Sequence, residues 1–366
     1  MNCARTQKLR AKQLPSAFKI YTPNAKFDTL SCKHASGEQA RERMPFSTIS
    51  LAFFNLMNFS CNTIPQSWLA FELSVLKRIK FTSIALPFVG EPQLGIYLKH
   101  WGVRVAANDP MEWAFTKALA FIANNGEELS EEVAERILED VYVPRGDLTN
   151  PALRKWFTEA DAWWFDNFLA NTEEIVNPTV RALALSFAMV VGDYALSFDE
   201  ETRSLRRPHT LSDVFRRVWQ AQTLPVNNAQ RNVSVNCDAR DFIAIQHTDA
   251  LFLRLPRAQR HHQRHSLEAW REEWLRGSDE FWSDFETARS NRLGAPVETK
   301  GQYLRYVEDA LEVAAHLPLW IIAHVEDGFV SSNELAEAIG RVRKVESVYT
   351  KDFSELIGAR AAIITA

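Results

Sequence analysis

A strand, a turn, a helix and a second strand follow one another within residues 81–109, and this order constrains the fold more than any other feature. The run FTSIALPFVG (81–90) is rich in β-forming residues and ends in glycine. The stretch PQLGIYLKHWG (92–102) has apolar residues at helical spacing and stops at Gly102, and VRVAAND (103–109) is again strand-like. Such a βαβ unit joins parallel strands, so the chain is predicted to contain a parallel sheet.

The remaining pattern places strand-forming segments on either side of a helical tract. Strands are predicted at 232–243, 249–256, 317–325, 344–353 and 360–366, and helices at 65–80, 111–124, 130–141, 151–170, 178–195, 210–221, 266–287, 301–315 and 332–342. We therefore expect an α/β fold with a largely parallel sheet and a helical insertion. The α/β domain is assigned to 64–110 and 225–366, the insertion to 111–222, and a disordered tail to 1–60.

Composition and charge are those of an ordinary soluble protein. Hydrophobic residues make up 46% of the 366 residues and charged residues 24%, and the net charge of −4 provides no general basic field for nucleic acid. Four widely spaced cysteines suit a reducing compartment, and the apolar stretch 45–59 is too short to span a membrane. A cytoplasmic protein without membrane attachment is therefore predicted.

The motifs occur in an order that resembles the Dam-like family of adenine-N6 DNA methyltransferases. A Pro-Phe-x-Gly corner follows the first strand, an Asn-Asp pair ends the second, an NCDARDF acidic turn follows the helical tract, and the apolar strand 249–256 ends near a proline. The resemblance extends from about residue 64 to the C-terminus. It implies a methyltransferase-like, Rossmann-type sheet, S-adenosylmethionine as cofactor and DNA as partner.

The resemblance also implies roles for particular side chains. The positions implied to bind the cofactor are Phe88, Gly90, Asn108, Asp109 and Asp238. In the family, the Asn-Asp carboxylate binds the ribose and the later acidic turn contacts the adenine of the cofactor. A strand ending in Asp-Pro-Pro-Tyr grips the target base, which is flipped out of the DNA helix. The helical insertion corresponds to the region that contacts DNA sequence.

Three residues at the cofactor corner depart from the family pattern. Leu86 stands where the family has Asp or Glu, and Pro92 stands where it has a second glycine, so one N–H donor is lost. Glu91 adds a negative charge near the position implied for the cofactor carboxylate, and the two charges would repel unless Glu91 points away. Binding of S-adenosylmethionine is therefore predicted to be weak or absent.

The corner implied to perform catalysis departs further. Arg254, Leu255, Pro256 and Arg257 occupy the positions of Asp-Pro-Pro-Tyr. An arginine side chain has five donors and no acceptor, so Arg254 cannot accept a hydrogen bond from the adenine amino group. We therefore predict a protein that does not transfer methyl groups and that retains a DNA-facing or partner-binding role.

Two other hypotheses remain open from the sequence. In one, the protein is an active, divergent methyltransferase in which Asp238, Asp241 or Asp249 replaces the missing acceptor. In the other, it is an interaction protein without nucleic acid, which the acidic balance of charges allows.

Basic residues recur at three- and four-residue spacing after the apolar strand. On a helix, Arg257, Arg260 and Arg264 would share one face able to bind phosphates. The alternative is a solvated face neutralised by the three glutamates within 268–273. The HHQRH run (261–265) has no carboxylate partner at a fixed spacing and is not predicted to bind zinc.

Two Asn-Pro pairs and one aromatic cluster are predicted to be structural. Asn150 and Asn177 each precede a proline at a helix start, where the asparagine side chain would cap the helix. The adjacent tryptophans of DAWWFDNFL (161–169) are predicted to pack in the core of the helical tract rather than to stack on bases.

Overall fold

The computed structural model describes residues 66–207, 210–258, 264 and 266–366. The predicted disordered tail (1–60) and the predicted phosphate contact Arg260 lie outside the described residues.

Seven strands form one mixed, mostly parallel sheet. The strands are β1 (Ser83–Leu86), β2 (Arg104–Asn108), β3 (Val233–Val235), β4 (Ala250–Arg254), β5 (Leu319–Glu326), β6 (Ser347–Phe353) and β7 (Ala359–Thr365). Their order across the sheet is β3-β2-β1-β4-β5-β7-β6. Strands β1 to β5 are parallel, and β7 runs antiparallel between β5 and β6. The predicted α/β class with a largely parallel sheet is confirmed.

Helices cover the sheet and fill the connection between β2 and β3. They are α1 (Gln66–Leu76), α2 (Gln93–His100), α3 (Glu112–Ala118), α4 (Glu131–Arg136), α5 (Glu159–Thr172), α6 (Pro178–Leu196), α7 (Leu211–Gln220), α8 (Ala239–Ala244), α9 (Ala269–Arg276), α10 (Trp282–Ala288), α11 (Lys300–Val313), α12 (Ser332–Val342) and α13 (Ser354–Ile357). A π-helical turn, Leu119–Ala123, continues α3, and 3₁₀ turns cover Pro151–Lys155, Arg203–Leu205 and Ala314–His316.

The βαβ unit of residues 81–109 folds as predicted. Strands β1 and β2 pair in parallel, and α2 connects them. Pro92 precedes the first turn of α2, where an N–H group has no partner within the helix. After α2, Gly102 adopts a φ of 76°, a left-handed conformation that glycine reaches without steric cost. Local residue chemistry therefore defines both ends of this helix.

Three predicted elements differ from the observed ones. The predicted strand 232–243 is a strand only over β3, because Asp238 then caps α8. The predicted helix 266–287 is divided into α9 and α10, because Gly277 ends α9 with a φ of 75°. The predicted helix 151–170 begins as a 3₁₀ turn and restarts as α5 behind a threonine cap. In each case a local cap or glycine overrides the apolar periodicity.

Two hydrophobic cores lie on opposite faces of the sheet. Neighbouring residues of β4 point to different cores, since Phe252 belongs to one and Leu253 to the other. The larger core extends into the helical tract, where Trp163 and Trp164 are buried and Trp164 stacks on Phe168 at a centroid distance of 4.8 Å. The predicted packing role of the DAWWFDNFL segment is therefore confirmed.

Both predicted asparagine caps are present. The side chain of Asn150 accepts a hydrogen bond from the backbone N–H of Ala152 at 3.1 Å. The side chain of Asn177 accepts from the backbone N–H groups of Thr179 and Val180, at 2.9 and 3.4 Å. These side chains satisfy donors that a helix leaves without partners at its start.

One helix in the described part of the chain, α6, is long and apolar enough to cross a membrane. In the protein, 72% of its most apolar window is buried. Its Gly192 packs so closely against Trp270 that a Cβ atom would lie 2.1 Å from the indole ring. The burial of α6 is that of a core helix.

Candidate functional site

The carboxyl ends of β1, β2, β3 and β4 lie along one edge of the sheet, and the chain order reverses between β1 and β4. Ligands of open α/β sheets bind at such a switch point. The structure brings to this edge the predicted residues Phe88, Gly90, Asn108, Asp109, Asp238 and Arg254.

Asn108 is fully buried and ties three strand ends together. Its Nδ2 donates to the carbonyl oxygens of Pro87 and Cys237, at 3.0 and 3.1 Å, and its Oδ1 accepts from the backbone N–H of Cys237 at 3.1 Å. Both ends of the side-chain amide are thus used within the protein. Asn108 has a structural role here, and its predicted contact with the cofactor gains no support from these bonds.

Asp109 binds the backbone of its own corner with both carboxylate oxygens. Oδ2 accepts from the N–H of Gly90 at 2.9 Å, and Oδ1 accepts from the N–H of Met111 at 3.0 Å. Asp109 is 6% exposed, and burial raises the pKa of Asp109 to about 6, although the two hydrogen bonds oppose the rise. The carboxylate predicted for ribose hydroxyls and the N–H of Gly90 therefore already have partners.

The buried carboxyl of Asp109 is expected to make the protein less stable as the pH rises from about 4 to about 6. Its pKa is about 6 in the folded protein and usually 3.8, so the folded state binds this proton more tightly than the unfolded state. The resulting stabilisation is full below the usual pKa and is lost through pH 6, a change of about 3 kcal/mol. Urea unfolding of the wild-type protein and of Asp109→Asn at about pH 4 and about pH 7 measures it.

Other titrating groups are present in both proteins, so their contributions to the pH dependence of the free energy of unfolding cancel in this comparison. The stability of the wild type relative to Asp109→Asn should fall by about 2 kcal/mol between the two pH values, because the unfolded carboxyl is already partly ionised at pH 4. A relative stability that is the same at both would contradict the assignment.

Asp238 caps α8 and also binds an arginine from a distant part of the chain. Its Oδ1 accepts from the backbone N–H of Arg240 at 2.9 Å and lies 2.9 Å from Nη1 of Arg292. The same guanidinium group is 4.0 Å from the exposed carboxylate of Asp241. The carboxylate predicted to contact the adenine of the cofactor is therefore paired with a cation.

Glu91 belongs to a group of charges between the β1 corner and helices α3, α6 and α9. Its carboxylate lies 2.7 Å from Nζ of Lys117 and 3.0 Å from Nη1 of Arg271, which also binds Asp193. Burial alone would raise the pKa of Glu91, but the two cations outweigh this effect and hold the pKa below its usual value. Glu91 thus occupies the cations that a ligand carboxylate would otherwise use.

Arg254, at the position implied for the catalytic carboxylate, is bound by a buried glutamate. Its Nε and Nη2 donate to the two oxygens of Glu72, at 3.0 and 2.8 Å. Glu72 is fully buried and also accepts from the indole N–H of Trp68 at 2.7 Å. Sequence reasoning missed Glu72, and its local signal is weak: it follows Trp68 by one helical turn in α1.

The three residues after Arg254 close the end of β4. Leu255 is buried and donates its N–H to the carbonyl of Ala323 at 2.9 Å, while the carbonyl of Pro256 accepts from the hydroxyl of Tyr303 at 2.8 Å. Arg257 is exposed. An open depression beside these residues has a volume of ≈ 10 Å³, far below the range of about 300–1,000 Å³ common for small-molecule sites.

Asp249, one candidate for a replacement acceptor, lies at the opposite edge of the sheet. It precedes β4, and its Oδ2 accepts from the N–H and hydroxyl of Thr82, at 2.8 and 2.6 Å, and from the N–H of Ser83 at 3.0 Å. Because β1 and β4 are parallel, these contacts are at the amino-terminal edge. Asp249 therefore cannot contact a base held at the carboxyl edge, and its predicted substitute role is wrong.

The basic run after β4 is described only in part. Arg257 is exposed, and Nε of Arg264 lies 3.8 Å from a carboxylate oxygen of Glu286. The histidines of HHQRH and Arg260 lie outside the described residues. The helix on which these side chains would share one face is therefore still a prediction.

Two of the glutamates expected to neutralise the basic run are used inside the protein. Glu272 is fully buried and accepts from the backbone N–H groups at the start of α3, at 3.0 and 3.1 Å. Glu273 is 3% exposed and accepts from two tryptophan indoles, at 2.7 and 2.9 Å. These two carboxylates therefore do not neutralise the basic run. The alternative of a solvated face neutralised by three glutamates loses two of the three.

The groups implied to hold S-adenosylmethionine do not fit that cofactor in this arrangement. Asp109, the N–H of Gly90 and Asp238 all have protein partners, and Pro92 supplies no donor.

Within the described ranges, no three His, Cys, Asp or Glu side chains are placed to hold a metal ion. No protein-family model and no curated protein matches this chain.

Proposed function

We propose that this protein is a catalytically impaired relative of the Dam-like adenine-N6 DNA methyltransferases that binds DNA without methylating it. The observation that carries the proposal is the ion pair of Arg254 with Glu72 at the end of β4. The resemblance implies a hydrogen-bond acceptor for the adenine amino group at this position. Arg254 offers donors alone, and both donor groups facing Glu72 are already bound.

The charge at this corner also opposes methyl transfer. The reacting methyl group of S-adenosylmethionine is attached to a positively charged sulfur, and a guanidinium group nearby raises the energy of that arrangement. The Glu72 carboxylate balances Arg254 but is fully buried and bound to Trp68. The corner is therefore electrically balanced, and the side chains of Arg254, Leu255, Pro256 and Arg257 offer no acceptor with which to activate an amine.

The sheet and the basic run support a DNA-binding role. The order β3-β2-β1-β4-β5-β7-β6 is compatible with the methyltransferase-like sheet that the resemblance implies. Arg257 projects from the carboxyl edge as an exposed cation, and Glu272 and Glu273 are committed to interior contacts. A local cluster of arginines binds phosphates even when the whole protein is acidic.

A cytoplasmic location is part of the proposal. Cys237, the cysteine within the described residues, is a free thiol, as expected in a reducing compartment.

Two measurements test the catalytic part of the proposal. Calorimetric titration of the full chain with S-adenosylmethionine is expected to show weak or no binding, and incubation with cofactor and plasmid DNA is expected to leave adenine unmethylated. Tight binding together with adenine methylation would overturn the proposal and support the divergent active enzyme.

DNA binding is tested with the variant Arg257→Ala/Arg260→Ala/Arg264→Ala. If each arginine contacts one phosphate, the slope of log affinity against log salt concentration should fall in magnitude by about 3, and affinity should fall at least tenfold at low salt. The control is a variant with the same change of net charge, in which three exposed arginines outside both the basic run and the helical insertion are replaced, namely Arg78, Arg305 and Arg360. If both variants bind DNA with the same affinity and the same salt dependence, or if the wild-type protein does not bind DNA, the interaction protein without nucleic acid is favoured instead.

A further inference from the structure

Residues 289–297, in the connection between α10 and α11, lie across the sheet edge described above, and we call this segment the strap. A Cβ atom built on Gly294 would lie 3.6 Å from Pro256, after β4, and 3.9 Å from Phe88, after β1. Leu293 is 5% exposed and belongs to the core on the same face as Leu255. The strap therefore packs directly on the ends of strands at the switch point.

Two arginines of the strap face the carboxylates predicted for a nucleoside. Arg292 binds Asp238 at 2.9 Å. Arg289 stacks over the ring of Phe285 at 5.0 Å, within reach of the negative charges of Asp109 and Asp238. Its Nε is buried and has no hydrogen-bond partner among the described residues. Arg289 is thus held at this edge by charge and stacking more than by hydrogen bonds.

The strap has a defined backbone turn. Asn291 and Gly294 both adopt left-handed conformations, with φ of 61° and 92°. The hydroxyl of Tyr306 donates to the side chain of Asn291 at 3.1 Å, and the N–H of Ala295 donates to the carbonyl of Arg292 at 3.0 Å. A residue other than glycine in a left-handed conformation is uncommon, so this turn is specified by its surroundings.

We propose that the strap is an autoinhibitory element that occupies the nucleoside end of the ligand site. The inference rests on the proposed methyltransferase-like origin. In Rossmann-type nucleotide-binding sheets, an acid at the end of the second strand binds the ribose hydroxyls. Here Arg289 and Arg292 supply positive charge to Asp109 and Asp238, where an adenosine-type ligand would supply hydroxyl and amino donors. The strap therefore covers the position of such ligands and pairs with Asp238, while Asp109, which accepts one backbone hydrogen bond at each oxygen, keeps lone pairs for ribose hydroxyls once the strap is displaced.

Two independent variants of the full chain displace the strap. Arg289→Ala/Arg292→Ala removes the ion pair of Arg292 with Asp238 and the positive charge of Arg289 near Asp109. Gly294→Val places a branched side chain at a φ of 92°, where its Cβ would lie 2.9 Å from Nη2 of Arg289. Arg305→Ala, an exposed arginine of α11, is the control. Hydrogen exchange of the strap and calorimetric titration with adenosine are measured for each protein.

The inference expects faster exchange of the strap and at least tenfold tighter adenosine binding in both displaced variants than in the wild type and Arg305→Ala. This follows because apparent affinity rises with the fraction of open protein. Circular dichroism verifies folding, and if one variant fails to fold, the other decides. The inference would be overturned if the strap exchanges faster in the variants but adenosine does not bind more tightly. It would also be overturned if the wild type binds adenosine as tightly as the variants while its strap stays protected from exchange.

Failure of this inference can be told apart from failure of the proposed function. Methylation of plasmid DNA by the wild-type protein contradicts the proposed function. Strap opening without adenosine binding contradicts the autoinhibitory role alone and leaves the loss of the acceptor at Arg254 unaffected.

Discussion

The variant Arg271→Leu is expected to have a free energy of unfolding about 3–5 kcal/mol lower than that of the wild-type protein. Arg271 is 1% exposed, and its guanidinium group donates to Glu91 at 3.0 Å and to Asp193 at 3.2 Å. It also lies over the ring of Trp113 at 4.9 Å. Leucine would leave Lys117 to balance both carboxylates in a site with little access to water, where an unpaired charge is costly.

Urea unfolding followed by tryptophan fluorescence measures this loss. The control is Arg154→Leu, because the pair of Arg154 with Glu159 is exposed, with side chains 46% and 59% accessible. Exposed pairs contribute at most about 1 kcal/mol. If both substitutions cost the same small amount, the group around Arg271 does not stabilise the junction of the sheet edge with α3, α6 and α9.

Replacing Arg254 alone should cost far more than replacing it together with its partner. Arg254→Leu leaves the fully buried Glu72 without its cation, and a loss of about 3 kcal/mol or more is expected. In Glu72→Leu/Arg254→Leu no charge remains, and about 1–2 kcal/mol should be lost, mainly because the indole N–H of Trp68 loses its acceptor. A double-mutant cycle by urea unfolding compares these values with that for Glu72→Leu. Strictly additive losses would contradict the pairing.

This pair also explains why a single reversion is not expected to restore methyl transfer. Arg254→Asp would place a second carboxylate beside Glu72, and two like charges in a buried site destabilise each other. One of the two carboxyls would take up a proton or the local fold would change. The arginine at the motif position and the buried Glu72 beside it therefore depend on each other, and reverting one alone is not expected to restore the site.

Local residue chemistry made several elements predictable. Gly102 ends α2, and Asn177 caps α6, because both act within one turn of the chain. The predicted strand 232–243 was right over β3 and wrong beyond it for the same reason, because capping by Asp238 starts α8. Apolar periodicity located most elements, and caps and glycines decided where they end.

The partners of the site residues were not predictable from local pattern. Glu72 and Arg254 are 182 positions apart in the chain, and Arg292 reaches Asp238 from the connection after α10. Such contacts have no sequence period, because the fold brings the two segments together. Glu272 illustrates the same point: the alternative of a solvated, neutralised face placed it at the surface, and it is fully buried against the start of α3.

The sequence by itself determined the parallel order of β1 and β2 and the absence of an acceptor at Arg254, because turn formation and the donor inventory of a side chain belong to the residues themselves. The tertiary structure alone decided that Glu91, Asp109 and Asp238 are occupied by the protein's own donors. The physical reason is that charge pairing depends on distance and burial, which are set when remote segments pack at the sheet edge.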